Sequence, residues 1–284
     1  MQMSRGNNTK YKQDRTLRNL IFFIVLVLLS GWLGIGLDAA LGMPAGPGPG
    51  MLIWIIAPLA LSFALRGFGG DGWSDLGIRP NLKGNWVWYG LSILVYPLCA
   101  MLVVVLGIII GAVEPYDITG SIIALMAAVL IQTTLLQFVQ NFFEESGFRG
   151  YLAPRAFSLG WNPLLVHVLV GLVWGAWHIP YLRAIIAPVA PYAAENMVIL
   201  APRFLLGAVA ASLVYGEIRF RTNSIWPAVL MQSIGGSFIA VVVLNSGMIF
   251  DSGSAFIFLP MVEGLLMSLL FAIIGLVLYR IRSS

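Results

Sequence analysis

Residues 86–110 read WVWYGLSILVYPLCAMLVVVLGIII, and no Asp, Glu, Lys or Arg interrupts them. A helix needs roughly 20 consecutive apolar residues to cross the hydrocarbon core of a bilayer. Pro97 does not argue against a helix here, because transmembrane helices tolerate proline. This stretch therefore predicts a membrane-spanning helix.

The composition of the whole chain indicates the same environment. Of its 284 residues, 59% are hydrophobic and only 10% are charged, and the mean hydropathy is +0.91. A soluble domain carries about 25% charged residues, so this chain cannot cover a water-facing surface. The net charge of +4 would suit nucleic acid, but its basic residues sit at helix ends, so no nucleic-acid partner is predicted. The single cysteine, Cys99, excludes an internal disulfide.

Eight windows are apolar enough to span a bilayer, and they predict an all-α polytopic transmembrane bundle of about eight helices. They divide the chain into a basic segment (1–18), helices 1–3 (19–118), a core of helices 4–7 (119–247), and helix 8 with a basic tail (248–284). The windows are Asn19–Leu37, Met51–Leu65, Trp86–Val113, Ser121–Phe143, Pro163–Pro180, Leu200–Tyr215, Ile225–Asn245 and Ala255–Tyr279.

The charges of the connections predict how the bundle is oriented. All sixteen basic residues except Arg183 and Arg203 fall before the first helix, in alternate connections or in the C-terminal tail. Cytoplasmic loops carry an excess of Lys and Arg, so both termini are predicted to be cytoplasmic. The first apolar run is long for a signal peptide, and we expect it to remain as an uncleaved anchor.

The fourth window ends in polar residues, which are costly at membrane depth and mark functional sites by default. Successive residues of a helix point about 100° apart, so Glu145 faces away from Glu144, and its i,i+4 spacing predicts an ion pair with Arg149. The alternative is that both acids and Arg149 form a solvated helix end. Spacings of three, four and seven residues put one set of side chains on a single face, predicting a lined cavity: Gln137, Gln140, Asn141 and Glu144.

Later helices carry isolated polar residues that can have either a structural or a functional role. His178, in WGAWHIP, is either a packed, hydrogen-bonded residue or part of a site, whereas His167, about 16 Å along the same helix, is expected to be structural. The two histidines therefore cannot bind one metal ion. Gln232 needs partners if it is buried and is a candidate for the cavity. Glu263 is expected to make a structural hydrogen bond.

The predicted orientation raises a problem of depth. It puts Glu144 near the cytoplasmic end of its helix, whereas His178 lies about 22 Å beyond Pro163. These side chains can meet only if the fourth helix sits deeper in the membrane, or if the fifth helix begins outside the hydrocarbon.

Two motifs resemble those of a known family. EESGFR, from Glu144 to Arg149, is similar to the Glu-Glu-x-x-x-Arg motif of the CAAX protease and bacteriocin-processing (CPBP, ABI-domain) family of intramembrane proteases. The pair Trp174 and His178 resembles its aromatic-x-x-x-His motif. The resemblance covers roughly residues 121–245, and the eight-helix layout is similar to that of the type II CAAX prenyl endopeptidases.

The third motif departs from the family. Where the family typically has His-x-x-x-Asn on a later helix, this chain has Gln232 and Gly236. In the family, the first Glu and the first His are thought to activate a water, and the later His and Asn are thought to help bind metal or the oxyanion. Gln232 retains an amide that can donate, whereas Gly236 has no side chain.

The resemblance implies a membrane protein, of the cell membrane of a prokaryote, that hydrolyses a membrane-associated peptide, prenylated or a leader, through a cytoplasm-facing cavity. The implied catalytic residues are Glu144, Glu145, Arg149, His178 and Gln232. Zinc at Glu144 and His178 is an option, although catalytic zinc normally takes three protein ligands. A catalytically inactive relative that binds membrane proteins is the main alternative, and a small transporter is a third.

Overall fold

The computed structural model describes residues 2–44, 46–115, 120–186, 195–245 and 248–283. Eight helices in these ranges are long and apolar enough to cross a membrane, which confirms the predicted all-α bundle. The elements are α1 Gln2–Ala40, α2 Pro49–Gly67, α3 Trp86–Ile109, β1 Val113–Glu114, α4 Gly120–Gly147, a π-helical turn Phe148–Leu152, α5 Ala153–Ser158, α6 Pro163–Ile186, α7 Met197–Thr222, α8 Trp226–Ile239, a second π-helical stretch Ala240–Asn245, β2 Ile249–Phe250, α9 Ala255–Phe258 and α10 Leu265–Ser283.

The outer surface of the bundle is apolar. On α4, Ile131, Leu135 and Leu136 are all exposed, and so are Trp32 and Leu33 on α1. Side chains of this kind would be costly to leave in water, and a bilayer covers them. The chain is thus an integral, multi-pass membrane protein.

The fourth helix extends further than predicted. We expected it to end at Phe143, but α4, the π-helical turn and α5 form one span that reaches Ser158. Pro154 has no N–H and cannot bond to the Gly150 carbonyl four residues earlier, and Arg66 donates to that carbonyl instead. Arg149 is buried inside this span rather than exposed in a connection, because its charge has partners within the bundle.

The last predicted helix is interrupted. Instead of one helix over Ala255–Tyr279, α9 ends at Phe258 and α10 begins at Leu265. The residue before a proline avoids the helical region, and Leu259, which precedes Pro260, is extended at φ −68° and ψ 127°. Glu263 therefore lies in the non-helical segment 259–264.

A short antiparallel pair joins two connections at one end of the bundle. Val113 of β1 pairs with Phe250 of β2, whereas the sequence predicted that the third helix would continue to Val113. The helix stops earlier because Gly111 has φ of +77°, a conformation that favours glycine and ends a helix.

The connections at the opposite end carry most of the exposed basic residues of the described ranges, with Arg183 as an exception, and we call this the basic end. There, Asn81 donates to the carbonyl of Thr222, which joins the α2–α3 connection to the end of α7. Four arginines counted in the charge asymmetry are buried in the bundle: Arg66, Arg149, Arg155 and Arg219. Five exposed basic residues at this end still support the asymmetry: Arg18, Arg79, Lys83, Arg280 and Arg282.

Candidate active site

A cavity of about 390 Å³ lies between α2, α3, α4, α6, α7, α8 and the segment 259–264. This volume is within the usual range of small-ligand pockets, about 300–1,000 Å³. The predicted stripe of α4 does line this cavity, with Gln137, Gln140, Asn141 and Glu144.

The cavity extends from the middle of the bundle toward the end away from the basic end. Its wall includes Met51 near the start of α2, Leu182 near the end of α6, and Glu263 just before α10. Because consecutive spans run in opposite directions, these three positions belong to the end where β1 and β2 pair.

Among the described side chains of the cavity, Glu144 accepts the most hydrogen bonds. Its side chain is buried, and all three of its described partners are hydrogen-bond donors. Gln140 donates to Oε1 at 3.2 Å, while Trp174 and Gln232 donate to Oε2 at 3.1 Å and 2.7 Å. A carboxylate has about four acceptor positions, so three donors leave room for one more, such as a water.

His178 lines the same cavity and is held in one tautomer. Its Nδ1 lies 2.9 Å from the carbonyl oxygen of Trp174, which can only accept, so Nδ1 carries the proton and Nε2 is the acceptor of the neutral ring. Edge contacts with Trp54, Trp174 and Trp177, at centroid distances of 4.7–5.6 Å, fix the plane of the imidazole. The ring is therefore positioned as an acceptor toward the cavity.

The pair Glu145–Arg149 forms as the spacing predicts. Arg149 donates from Nη1 to Oε1 of Glu145 at 2.9 Å, and neither side chain is exposed. The guanidinium lies between the rings of Trp174 and Tyr215, 5.1 Å and 5.0 Å from their centroids. Since Trp174 also donates to Glu144, the ion pair supports the indole that holds the cavity carboxylate.

The depth problem is resolved by the contacts of Glu144, which lies inside the fourth span rather than at its end. Trp174, one turn before His178 on α6, donates to Oε2 of Glu144 at 3.1 Å, so the carboxylate lies level with that turn. Both side chains consequently reach the same cavity.

Around the positions of the third motif, the polar groups are the side-chain amides of Gln232 and Gln137. Gln232 donates to Glu144, and its own Oε1 is buried without a partner among the described residues. A side chain added at Gly236 would meet the amide of Gln137, 3.2 Å from its nitrogen. Gln137 of α4 therefore occupies the space beside position 236.

Asn141 connects α4 to α8 in this region. Its amide donates to the Ser233 hydroxyl at 3.1 Å and to Oε1 of Gln137 at 3.5 Å. The second contact, though long, leaves the Nε2 donor of Gln137 as the group that can serve a ligand. Ser233 thus makes an interhelical hydrogen bond.

His167 lies outside the cavity, in an ionic network near the basic end. Its Nε2 is 2.9 Å from Glu217, and Arg282 donates to the same carboxylate at 2.7 Å. This matches the structural role expected for His167.

Sequence reasoning missed the contribution of Glu263. We expected a structural hydrogen bond on a helix, but Glu263 lines the cavity from the segment 259–264, and its Oε1 has no partner among the described residues. Pro260 and Gly264, which flank this part of the chain, were the signal that the helix is interrupted.

The described residues offer zinc only two of its usual protein ligands. No group of three or more His, Cys, Asp and Glu side chains that could hold a metal ion occurs within these ranges. Catalytic zinc takes three protein ligands, and Glu144 and His178 supply two, while the neighbouring Gln232 is engaged as a donor. We therefore derive no step through a metal, and zinc at this pair stays a prediction.

A comparison with protein families supports the class of protein that the two sequence motifs indicate. The family described as type II CAAX prenyl endopeptidase Rce1-like matches residues 127–238, less than half of the chain. No curated protein matches the chain. The matched region contains Glu144, His178 and Gln232, and it confirms the resemblance to the CPBP intramembrane proteases. Over this region the chain is similar to the Rce1-like family, which supports an intramembrane protease of the CAAX type.

Proposed function

We propose that this protein is an endopeptidase that hydrolyses a membrane-associated peptide, either prenylated or a leader, within the cavity. The observation that carries the proposal is the hydrogen bonding of Glu144. This buried carboxylate accepts three hydrogen bonds and retains one acceptor position in a cavity shared with His178. A fixed carboxylate and a fixed imidazole acceptor are what the activation of a water molecule requires.

In this proposal Glu144 and Nε2 of His178 hold the water between them. The water oxygen attacks the peptide carbonyl carbon, and its proton moves to Glu144. The carbon–nitrogen bond then breaks as this proton passes to the leaving amine. Trp174 and the pair Glu145–Arg149 act as positioning residues, because they fix the carboxylate without reaching the reacting atoms.

The developing oxyanion also needs donors, and loss of one typically costs 100- to 1,000-fold in rate. One hydrogen of the Gln232 amide is engaged with Glu144, so its predicted donor role depends on the other. Nε2 of Gln137, adjacent to Gly236, is the second candidate. We assign it the donor role that the missing side chain at position 236 cannot fill.

The side of the membrane is also part of the proposal. The exposed basic residues favour cytoplasmic termini in a prokaryotic cell membrane. The cavity wall reaches the end away from the basic end, so an opening at that end is the alternative to the predicted cytoplasm-facing cavity. With cytoplasmic termini, a substrate would then enter through that opening from the opposite side.

The direct test is hydrolysis by the purified protein in proteoliposomes. We expect a lipid-anchored fluorogenic peptide to be cut into two fragments that mass spectrometry identifies, with and without a zinc chelator. Absence of cleavage across a library of lipidated and leader-type peptides, with and without added zinc, would refute the proposal.

The alternative of an inactive binding protein is favoured by one observation, the missing side chain at Gly236. If the protein still binds a peptide and lacks only the side chains that hydrolysis needs, the variant Gln232→His/Gly236→Asn should gain hydrolysis. The Cβ of an asparagine at 236 would lie only 3.2 Å from the amide of the Gln137 side chain, which must shift to admit it, so we expect a larger gain when Gln137→Ala is added to the pair.

The variant Gln137→Ala alone separates the two functions. An active wild-type enzyme should lose about 100-fold in kcat on this change, whereas a binding protein should show no hydrolysis before or after it. Initial rates at saturating peptide, with protein folding checked by size-exclusion chromatography, decide between these outcomes.

A further inference from the structure

The walls of the cavity are electronegative. Among its described lining residues, Glu144 and Glu263 are the acids, and no Lys or Arg is present. The donors of Gln140, Trp174 and Gln232 surround Glu144, so that charge is compensated locally. For Glu263, the donor among the described residues is its own backbone N–H.

Two buried oxygen atoms in this wall lack hydrogen-bond donors. Oε1 of Glu263 and Oε1 of Gln232 are both inaccessible and without a partner among the described residues. The Glu263 side chain as a whole is 2% exposed. A buried acceptor without a donor costs free energy unless a ligand supplies one. A ligand group that donates hydrogen bonds would therefore satisfy both atoms.

The backbone around Glu263 is held firmly in place. A side chain at Gly207 of α7 would collide with the Val262 carbonyl, so the two backbones are in direct contact. Ser268 donates to that same carbonyl at 2.9 Å, and Gly264 N donates to the Met261 carbonyl at 2.9 Å. Glu263 is therefore presented to the cavity by a fixed turn.

The rest of the wall is suited to a group with an apolar stem. Leu182, Phe204 and Ile239 are apolar, and the rings of Tyr96 and Tyr215 also line the cavity. Aromatic faces and a carboxylate attract a cation, while methylene groups pack on the apolar side chains.

We propose that Glu263 is a specificity-determining residue that binds a cationic group of the peptide substrate, a lysine side chain or an amino terminus, with Oε1 of Gln232 as a second acceptor. This inference rests on the proposed function for the identity of the ligand as a peptide. It goes beyond that function by naming the charge that the substrate must carry near the cleaved bond.

The protonation of Glu263 gives this binding a dependence on pH. Burial raises the pKa of Glu263 to about 7, so the carboxylate is charged above this pH and largely neutral below it. The other charged or titratable groups near it are the ion-paired Arg203 and Glu195, and the phenol of Tyr96. Affinity for a cation should thus rise between pH 6 and pH 8.

The experiment compares binding of three lipid-anchored fluorescent peptides to the detergent-solubilised protein. They carry Lys, norleucine or Glu at one position, which is moved along the peptide. At the best position we expect wild-type protein to prefer Lys over norleucine by about 10- to 100-fold, the usual strength of a charge-assisted hydrogen bond. The variant Glu263→Gln should reduce this ratio to near one and abolish its rise with pH.

A matched control and a charge reversal complete the test. Glu114→Gln, at the exposed position of β1, should keep the wild-type ratio, and Glu263→Arg should shift the preference to the Glu peptide. An equal ratio in wild type and Glu263→Gln would overturn the inference. Because binding is measured without cleavage, a Lys preference in a protein that cuts nothing would sustain this inference while refuting the proposed hydrolysis.

Discussion

Replacing Glu144 by alanine should lower kcat/KM for peptide hydrolysis by about 1,000-fold, within the range that general-base catalysis contributes. The substitution removes the acceptor that would hold the attacking water. It also leaves the donors of Gln140, Trp174 and Gln232 without their partner, and each unsatisfied buried donor costs about 1–3 kcal/mol. Initial rates on the lipid-anchored peptide measure the first effect, and thermal unfolding in detergent measures the second.

A second substitution separates the two effects. Glu144→Gln retains the shape and one acceptor oxygen, so it should be more stable than Glu144→Ala while remaining similarly inactive. The matched control is Glu114→Gln, at an exposed site outside the cavity, which should retain wild-type rates. Turnover within a few fold of wild type in a folded Glu144 variant would remove this residue from the mechanism.

Replacing Arg149 by methionine should destabilise the protein by about 3–5 kcal/mol, because it leaves the buried Glu145 charge without its partner. It also removes the cation between Trp174 and Tyr215. We expect a large fall in the midpoint of thermal or denaturant unfolding. Activity should fall with it, since Trp174 donates to Glu144.

The double variant Glu145→Gln/Arg149→Met is the informative comparison. It removes both charges together, so it should be more stable than Arg149→Met alone, as is common when a whole buried ion pair is replaced. Arg79→Met, at an exposed site of the basic end, is the control and should change the midpoint little. A double variant less stable than the single one would show that the charges do not compensate each other.

Local spacing was sufficient to predict the chemistry of the fourth span. The positions of Gln137, Gln140 and Glu144 on one face, and the i,i+4 pair Glu145–Arg149, depend only on the period of a helix. The structure brings the first set into the cavity and forms the second as a buried ion pair.

The ends of the helices could not be predicted by the same reasoning. Hydropathy placed Arg149 in a connection because an isolated arginine is costly in a membrane. The cost is offset by Glu145, one turn earlier, and by the rings of Trp174 and Tyr215, which come from distant parts of the chain. The same error made Glu144 look too shallow to meet His178.

Contacts between distant segments also determine which polar residues share the cavity. The donation from Gln232 to Glu144 joins residues 88 positions apart, and no local period encodes it. Glu263 looked isolated because its helix was assumed to be continuous, although Pro260 gave a local reason to doubt it. The resemblance to a family supplied what periodicity lacks, the expectation that α4, α6 and α8 meet at one site.

The extension of the cavity toward the end away from the basic end has a pharmacological consequence. If the protein lies in a cell membrane with cytoplasmic termini and the cavity opens at that end, a blocking compound reaches it from outside the cell, without having to permeate the bilayer or escape export from the cytosol. A compound with a fixed positive charge, normally a poor permeant, would then be a suitable ligand, with a cation for Glu263 and an apolar stem for the surrounding wall.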